Sequence, residues 1–368
     1  MRVGIIGAGI TGLFIAYYLK REGIKEITIF EKGKVGEGSV HAAGLIEPFR
    51  FDKINSNSMI IKMIKYSLNG NTLIKEFDKK WLEELIKSLN KDPPLDAWER
   101  VNWMARFSLR EYKRFAEEKN DFDYSESGIA EVYKSYAELE RGIEEEEKSP
   151  FKPKFEIVEI KGFAGGIYFP ELAKLNTEKF INRIKTELNN NINIINKTVV
   201  NVTREGKVHI EDGKIYEFDE IVVSAGIWCR RYVPVTSFKG YGIYVKGSEI
   251  KLDYPVVLAE LGIAIVKNSD HVKLTFGFDA DFSTKIRDYS YVLKNSSKLV
   301  KIEEILEIKL GFRPCSPDGF PIIAKKENMT IATGACRLGW SFAPAIGKMA
   351  TDLVLNRVKD YGYLSRYF

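Results

Sequence analysis

The sequence predicts an α/β protein in which a nucleotide-type βαβ domain, assembled from separate segments, is interrupted by an α+β domain built on a mainly antiparallel sheet. Three observations predict this. The chain opens on an apolar strand, a glycine turn, a helix and a second strand; short strands of similar type return after residue 190; and a helix entered through a glycine-rich turn closes the chain. At 368 residues the protein exceeds one comfortable core, so two domains are expected.

The elements follow in order. "RVGIIG" (2–7) is a buried strand, "AGITGLFIAYYLKREG" has helical apolar spacing, and "KEITIFEK" (25–32) is a β-branched strand. A right-handed crossover joins the two strands. Residues 54–148 read as mainly helical, ending near Pro150, with the acidic run 144–147 as a solvated face. Asn176 is placed to cap the helix "NTEKFINRIKTELNN". Strands "NINIIN", "TVVNVT", "KVHIED" and "EIVVSAG" come next, then "GYGIYV", "GIAIVK" and "HVKLTFGF". "YSYVLKNSSKLVKIEEILE" reads as helical, and "APAIGKMATDLVLNRV" is the closing helix.

Composition narrows the function. Hydrophobic residues make up 45% and charged residues 29%, ordinary for a globular protein, and a net charge of +5 is too small to argue for nucleic acid but suits an anionic ligand. Cys229, Cys315 and Cys336 are far apart and form no CxxC pair. That spacing argues against a zinc site or a disulfide framework and for a reducing compartment. No apolar run suffices for a membrane span or a signal peptide, so a cytoplasmic location is expected, with peripheral membrane contact left open.

The opening turn is a nucleotide fingerprint. Gly7, Gly9 and Gly12 form GxGxxG, with Ile10 and Thr11 between them, where tight turn, phosphate approach and helix packing each need a glycine. The helix start offers free N–H groups to phosphate. Glu31, nineteen residues after Gly12, ends the second strand, where a carboxylate accepts from ribose hydroxyls. The fingerprint alone does not separate NAD from FAD.

Three later stretches do. "EIVVSAGIWCRRYVP" (220–234), "GFRPCSPDGFPIIA" (311–324) and "TGACRLGWSFAPAIGKMATDL" (333–353) resemble, in order, motifs of the D-amino-acid oxidase superfamily, whose members include glycine oxidase, sarcosine oxidase and D-amino-acid dehydrogenase. The resemblance covers essentially the whole chain and is weakest in the helical region. It implies a Rossmann-type FAD-binding domain (1–50, 151–235 and 311–368), an inserted α+β substrate domain (51–150 and 236–310), and oxidation of a C–N bond in a small amine or amino acid by hydride transfer to the flavin. Rival readings are a cofactor-binding subunit of a heteromeric amine dehydrogenase and a tRNA-amine-modifying flavoenzyme.

The resemblance also assigns residues. "GSVHAAGL" is similar to a stretch of dimethylglycine and sarcosine dehydrogenases whose histidine bonds the flavin covalently, although Val40 replaces a tryptophan. Ser39, His41, Ala42, Ala43, Gly44 and Leu45 are thus expected at the flavin, His41 as a covalent attachment or a plain contact. Lys32, Val200, Ala225, Gly226, Trp228, Gly311, Gly334, Leu338, Gly339 and Trp340 are assigned to the same cofactor. Arg313 and Arg337 match carboxylate-binding arginines, with Arg50 a weaker third. The glycine oxidase tyrosine falls near Ala264, leaving Tyr241 or Tyr244 to compensate. Lys273 lies near the oxygen-activating lysine of sarcosine oxidase, but a solvent-facing strand lysine is the simpler reading. Asp318 reads as a turn former. Oxygen, a quinone or a carrier protein remains open as electron acceptor, as do oligomer and partner subunit.

Overall fold

The computed structural model describes residues 1–188, 192–250 and 253–368. A six-stranded sheet runs in the spatial order Ile322–Lys326, Met329–Thr333, Glu220–Val223, Arg2–Ile6, Glu26–Phe30, Asn193–Ile195. Its neighbours are parallel except the outermost pair, Ile322–Lys326 with Met329–Thr333. Glu220–Val223 is buried along its length, as a central parallel strand must be. The first helix, Ile10–Arg21, packs against the last, Gly339–Val354. Gly347 permits the approach, since a Cβ there would stand 2.6 Å from Cβ of Phe14.

The second sheet has eight strands in the order Lys301–Cys315, Thr236–Ser248, Val272–Ala280, Ile263–Lys267, Val256–Leu258, Ile129–Tyr133, Gly165–Phe169, Glu156–Val158. It is antiparallel throughout except where Val256–Leu258 meets Ile129–Tyr133. A three-stranded sheet of Val199–Val202, Lys207–Ile210 and Ile215–Glu217 completes the cofactor side.

Several expectations change. The segment read as helical up to Glu307 is helical only over Ser290–Ser296; Lys301–Cys315 is a long strand paired with Thr236–Ser248. It is one of the two edge strands, and its closely spaced charges, which imitate a helix pattern, are the usual protection of a sheet edge. The helical region likewise contains the strand Ile129–Tyr133. Strands Glu156–Val158 and Gly165–Phe169, from a segment assigned to the cofactor domain, hydrogen-bond into the eight-stranded sheet instead. In the acidic run, Glu146 is not merely solvated: it ion-pairs with Arg50 at 3.1 Å. Cys315 and Cys336 form a disulfide, because the fold brings residues 21 apart in sequence to 4.2 Å between Cα atoms; spacing in the chain could not reveal it. Cys229 is the free, buried thiol. Asn176 caps as expected, its side-chain oxygen accepting from Glu178 N and Lys179 N at 3.1 and 3.2 Å.

Candidate active site

A cavity of about 1090 Å³ runs from the carboxyl ends of the parallel strands to the eight-stranded sheet. Ile6, Phe30, Val223 and Thr333, each the last residue of its strand, line one end. This is where open parallel sheets bind ligands. The glycine turn closes over that end. Gly7 has φ +100°, a left-handed value, and a Cβ on Gly12 would lie 2.0 Å from the Gly7 carbonyl oxygen, so both positions demand glycine. Glu31 stands beside the turn, accepting from Ala8 N at 2.8 Å and Gly33 N at 3.0 Å. Across the cavity mouth, the Lys32 ammonium lies 3.6 Å from the ring centroid of Trp228.

Ser39 ties the next segment to this frame. Its hydroxyl accepts from Ile10 N at 3.0 Å, and its carbonyl accepts from the Trp340 indole at 2.9 Å. Two residues on, His41 enters the cavity wall with Nδ1 buried and no hydrogen-bond partner among the described residues. Burial, then the nearby Lys309 and Lys273, lower its pKa to about 4, so the imidazole is neutral at ordinary pH. Gly311 faces it: a Cβ there would come within 3.4 Å of Cβ of His41.

A buried clamp holds this loop. Lys273, wholly buried, donates to the carbonyls of Val40 at 3.0 Å and Ala42 at 3.3 Å, to the Thr177 hydroxyl at 2.8 Å and to the Glu178 carboxylate at 3.0 Å. Tyr244 donates to the same carboxylate. Burial lowers the pKa of Lys273 to about 8.

At the far end two guanidinium groups line the wall in different electrostatic states. Arg337 ion-pairs with Glu47 at 2.8 Å and with Asp52. Arg313 donates to the Gly277 carbonyl at 2.9 Å, lies over Phe278, and has no carboxylate partner among the described residues. Burial, and then the like charge of Arg337, push the Arg313 guanidinium below its usual range. A cation so placed is stabilised by an incoming anion.

Comparison with known proteins agrees with this geometry. A family model described as FAD dependent oxidoreductase (DAO) matches residues 2–353. The chain belongs to that family. It is an FAD-dependent oxidoreductase, and among curated relatives it is 35% identical over 360 residues to D-proline dehydrogenase of Pyrobaculum islandicum, covering 97% of this chain and 96% of that one. A D-amino acid dehydrogenase of Helicobacter pylori is 24% identical, covering 95% and 94%. Glycine oxidase from Geobacillus kaustophilus superposes with a TM-score of 0.75 at 17% identity, over all of this chain and 98% of that one, which is a likeness of fold. The cavity fits the flavin dinucleotide: Gly7, Gly9, Ile10 and Thr11 of the glycine turn line one end with no side chain filling it at the glycines, and His41 Nδ1 is an unanswered polar atom farther along the same wall.

Against this flavoenzyme site, the sequence-assigned residues sort clearly. Gly7, Gly9, Ile10, Thr11, Glu31, Lys32, Ser39, His41, Ala42, Ala225, Gly226, Trp228, Gly311, Arg313, Arg337, Gly339 and Trp340 all line the cavity. Gly12, Ala43, Gly44, Leu45, Gly334 and Leu338 stand behind the wall; a Cβ on Gly44 would meet the Leu175 carbonyl oxygen at 2.1 Å. Val200 is exposed, and strand alternation turns its neighbours Val199 and Asn201 to the wall in its place. Tyr241 and Tyr244 do not line the cavity: the first donates to Asp279 at 2.9 Å inside the sheet, the second belongs to the loop clamp, so neither compensates for Ala264. Lys273 corrects the reading of a solvent-facing lysine, because its side chain points inward under the 38–44 loop. Arg50 is engaged by Glu131 at 2.6 Å and by Glu146, away from the wall. Asp318 does form a turn, accepting from Phe320 N at 3.0 Å, and also receives Tyr363 at 2.6 Å and Arg366.

Sequence reasoning missed Gly240. It lines the cavity on the strand beside Arg313, and a Cβ there would stand 2.4 Å from the guanidinium. Its only sequence signal is a glycine inside a strand, which marks a close approach. No helix among the described residues is long and apolar enough to cross a membrane, and no cluster of metal-ligating side chains occurs among them.

Proposed function

We propose that the protein is a dehydrogenase of a small amino acid, with D-proline the favoured substrate. The observation that carries this reading is Arg313, a guanidinium on the cavity wall without an acidic partner. Its planar fork pairs with both oxygens of a substrate carboxylate. Gly240 leaves the room for that fork, and Phe278 supports its face. The choice of D-proline follows the relative of Pyrobaculum islandicum, which matches over nearly the full length of both chains.

Bound FAD supplies the two-electron acceptor for the substrate hydride. The chain supplies position: Arg313 fixes the carboxylate, the strands beside it limit how the substrate can turn, and Ser39 with the first helix holds the dinucleotide end. His41 is the point at which a covalent tether to the flavin would form, since a neutral imidazole with a free ring nitrogen is a nucleophile. The Lys273 ammonium supports a dehydrogenase in preference to an oxidase: its donors are engaged by two carbonyls, a hydroxyl and a carboxylate, leaving none for oxygen activation.

Anaerobic titration of the purified holoenzyme tests the reading. D-proline should bleach the flavin absorbance, with L-proline and glycine slower by at least tenfold. Bleaching by no amino acid would overturn the assignment. Acid precipitation tests the tether: flavin should stay in the pellet for the native protein and pass to the supernatant for His41→Ala.

A further inference from the structure

The disulfide has no part in the reading above, yet it joins the two arginines of the cavity. Cys315 follows Arg313 by two residues on the strand Lys301–Cys315, so both side chains leave the same face, about 7 Å apart along the strand. Cys336 immediately precedes Arg337 in the short turn before the last helix. The backbone pairing beneath is thin: an isolated bridge links Cys315 to Ala335, and Ser316 N reaches the Gly334 carbonyl at 3.3 Å. Two further features oppose this arrangement. The guanidinium of Arg337 acts on Arg313 as a like charge at the same end of the cavity. Cys336 itself has φ +51°, in the left-handed region that a residue with a Cβ disfavours.

We propose that the Cys315–Cys336 disulfide is a positioning staple for the carboxylate anchor, so that its reduction loosens substrate binding. The bond holds the Arg337 turn against the strand end that carries Arg313. The proposal rests on Arg313 as the carboxylate anchor. Cys336 lines the cavity while Cys315 is wholly buried, so Cys336 is the sulfur open to attack. A small dithiol reduces the bond in two steps: its thiolate attacks Cys336 and releases the Cys315 thiolate, and its second thiolate closes a cyclic disulfide and releases Cys336. The reagent gives up two electrons and its two thiol protons; the protein gains two thiols.

The test uses the holoenzyme before and after dithiothreitol, with thiols counted in denaturant under acid quench. One titratable thiol of three is expected before reduction and three after. Tetrahydrofuran-2-carboxylate, which has the ring shape and carboxylate of proline but no oxidisable amine, serves as a binding probe through its perturbation of the flavin spectrum. Reduction should weaken this binding about tenfold and raise KM for D-proline equally, with kcat within twofold. Reoxidation should restore both. The double variant Cys315→Ser, Cys336→Ser should resemble the reduced enzyme and ignore dithiothreitol; should it fail to fold, the reduced native protein gives the same comparison. Equal probe affinity before and after reduction, a fall in kcat with KM unchanged, or three thiols in the untreated protein overturns the staple alone. An oxidised enzyme that binds no carboxylate overturns the substrate reading and the staple together.

Discussion

Lys273 brackets His41: its ammonium donates to the carbonyls of Val40 and Ala42, the residues on either side. One buried charge therefore fixes the loop segment that carries the imidazole, and Glu178 neutralises that charge at 3.0 Å.

Lys273→Met should cost about 3 kcal/mol of stability, because it leaves the Glu178 carboxylate partly buried without its cation. The double change Lys273→Met, Glu178→Gln should recover about half of that loss. Urea midpoints of the three proteins measure this, and equal midpoints for the single variant and the native protein would contradict the clamp.

Arg313→Ala should raise KM for the amino acid about 100-fold, the equivalent of ~3 kcal/mol for a charge-assisted pair, with flavin content unchanged. Arg337→Ala should differ in kind. Glu47 and Asp52 would lose their cation, so stability should fall along with affinity. Steady-state kinetics beside thermal melts separate the two.

Gly240→Ala should act on substrate binding through Arg313 alone. The added methyl group would occupy the space of the guanidinium, whose end can swing away, so a tenfold or greater rise in KM is expected with little change in melting temperature. A native KM would show that the guanidinium does not sit against that backbone in solution.

Acid should weaken the flavin-free protein through His41. Its folded pKa of about 4 lies below the ordinary 6.5, so the unfolded chain binds the extra proton first. This contribution is complete above about pH 6.5 and is lost as pH falls through 4. His41→Asn should flatten the difference in stability between pH 4 and 7, measured by urea midpoints across that window.

The cofactor end was legible in the sequence because it is built from local signals. GxGxxG, the strand before it and Glu31 lie within thirty residues, and each states its own requirement. The arginine end, the proposed substrate site, was legible only by resemblance, and there the charge states decided what motifs could not. Arg313 and Arg337 look alike in sequence; they differ because Glu47 and Asp52, nearly three hundred residues away, fold onto one of them. Lys273 reads as a surface lysine in any strand pattern, since its partners Val40 and Glu178 come from distant segments. The strand Lys301–Cys315 was mistaken for helix in its first half because an edge strand carries charge for protection, and charge at short intervals imitates a helical face. The disulfide was invisible because its two cysteines meet only when the two sheets meet.

Trp340 ties the Ser39 loop to the helical core. Its indole holds Ser39, which receives the amide of Ile10, while its own carbonyl receives the Tyr112 hydroxyl at 2.8 Å. The loop that leads to His41, the start of the first helix and the helix that carries Tyr112 are thus tied together through one residue. A smaller residue in place of that ring would release the loop and the helix start together, a fault felt at two places from one site.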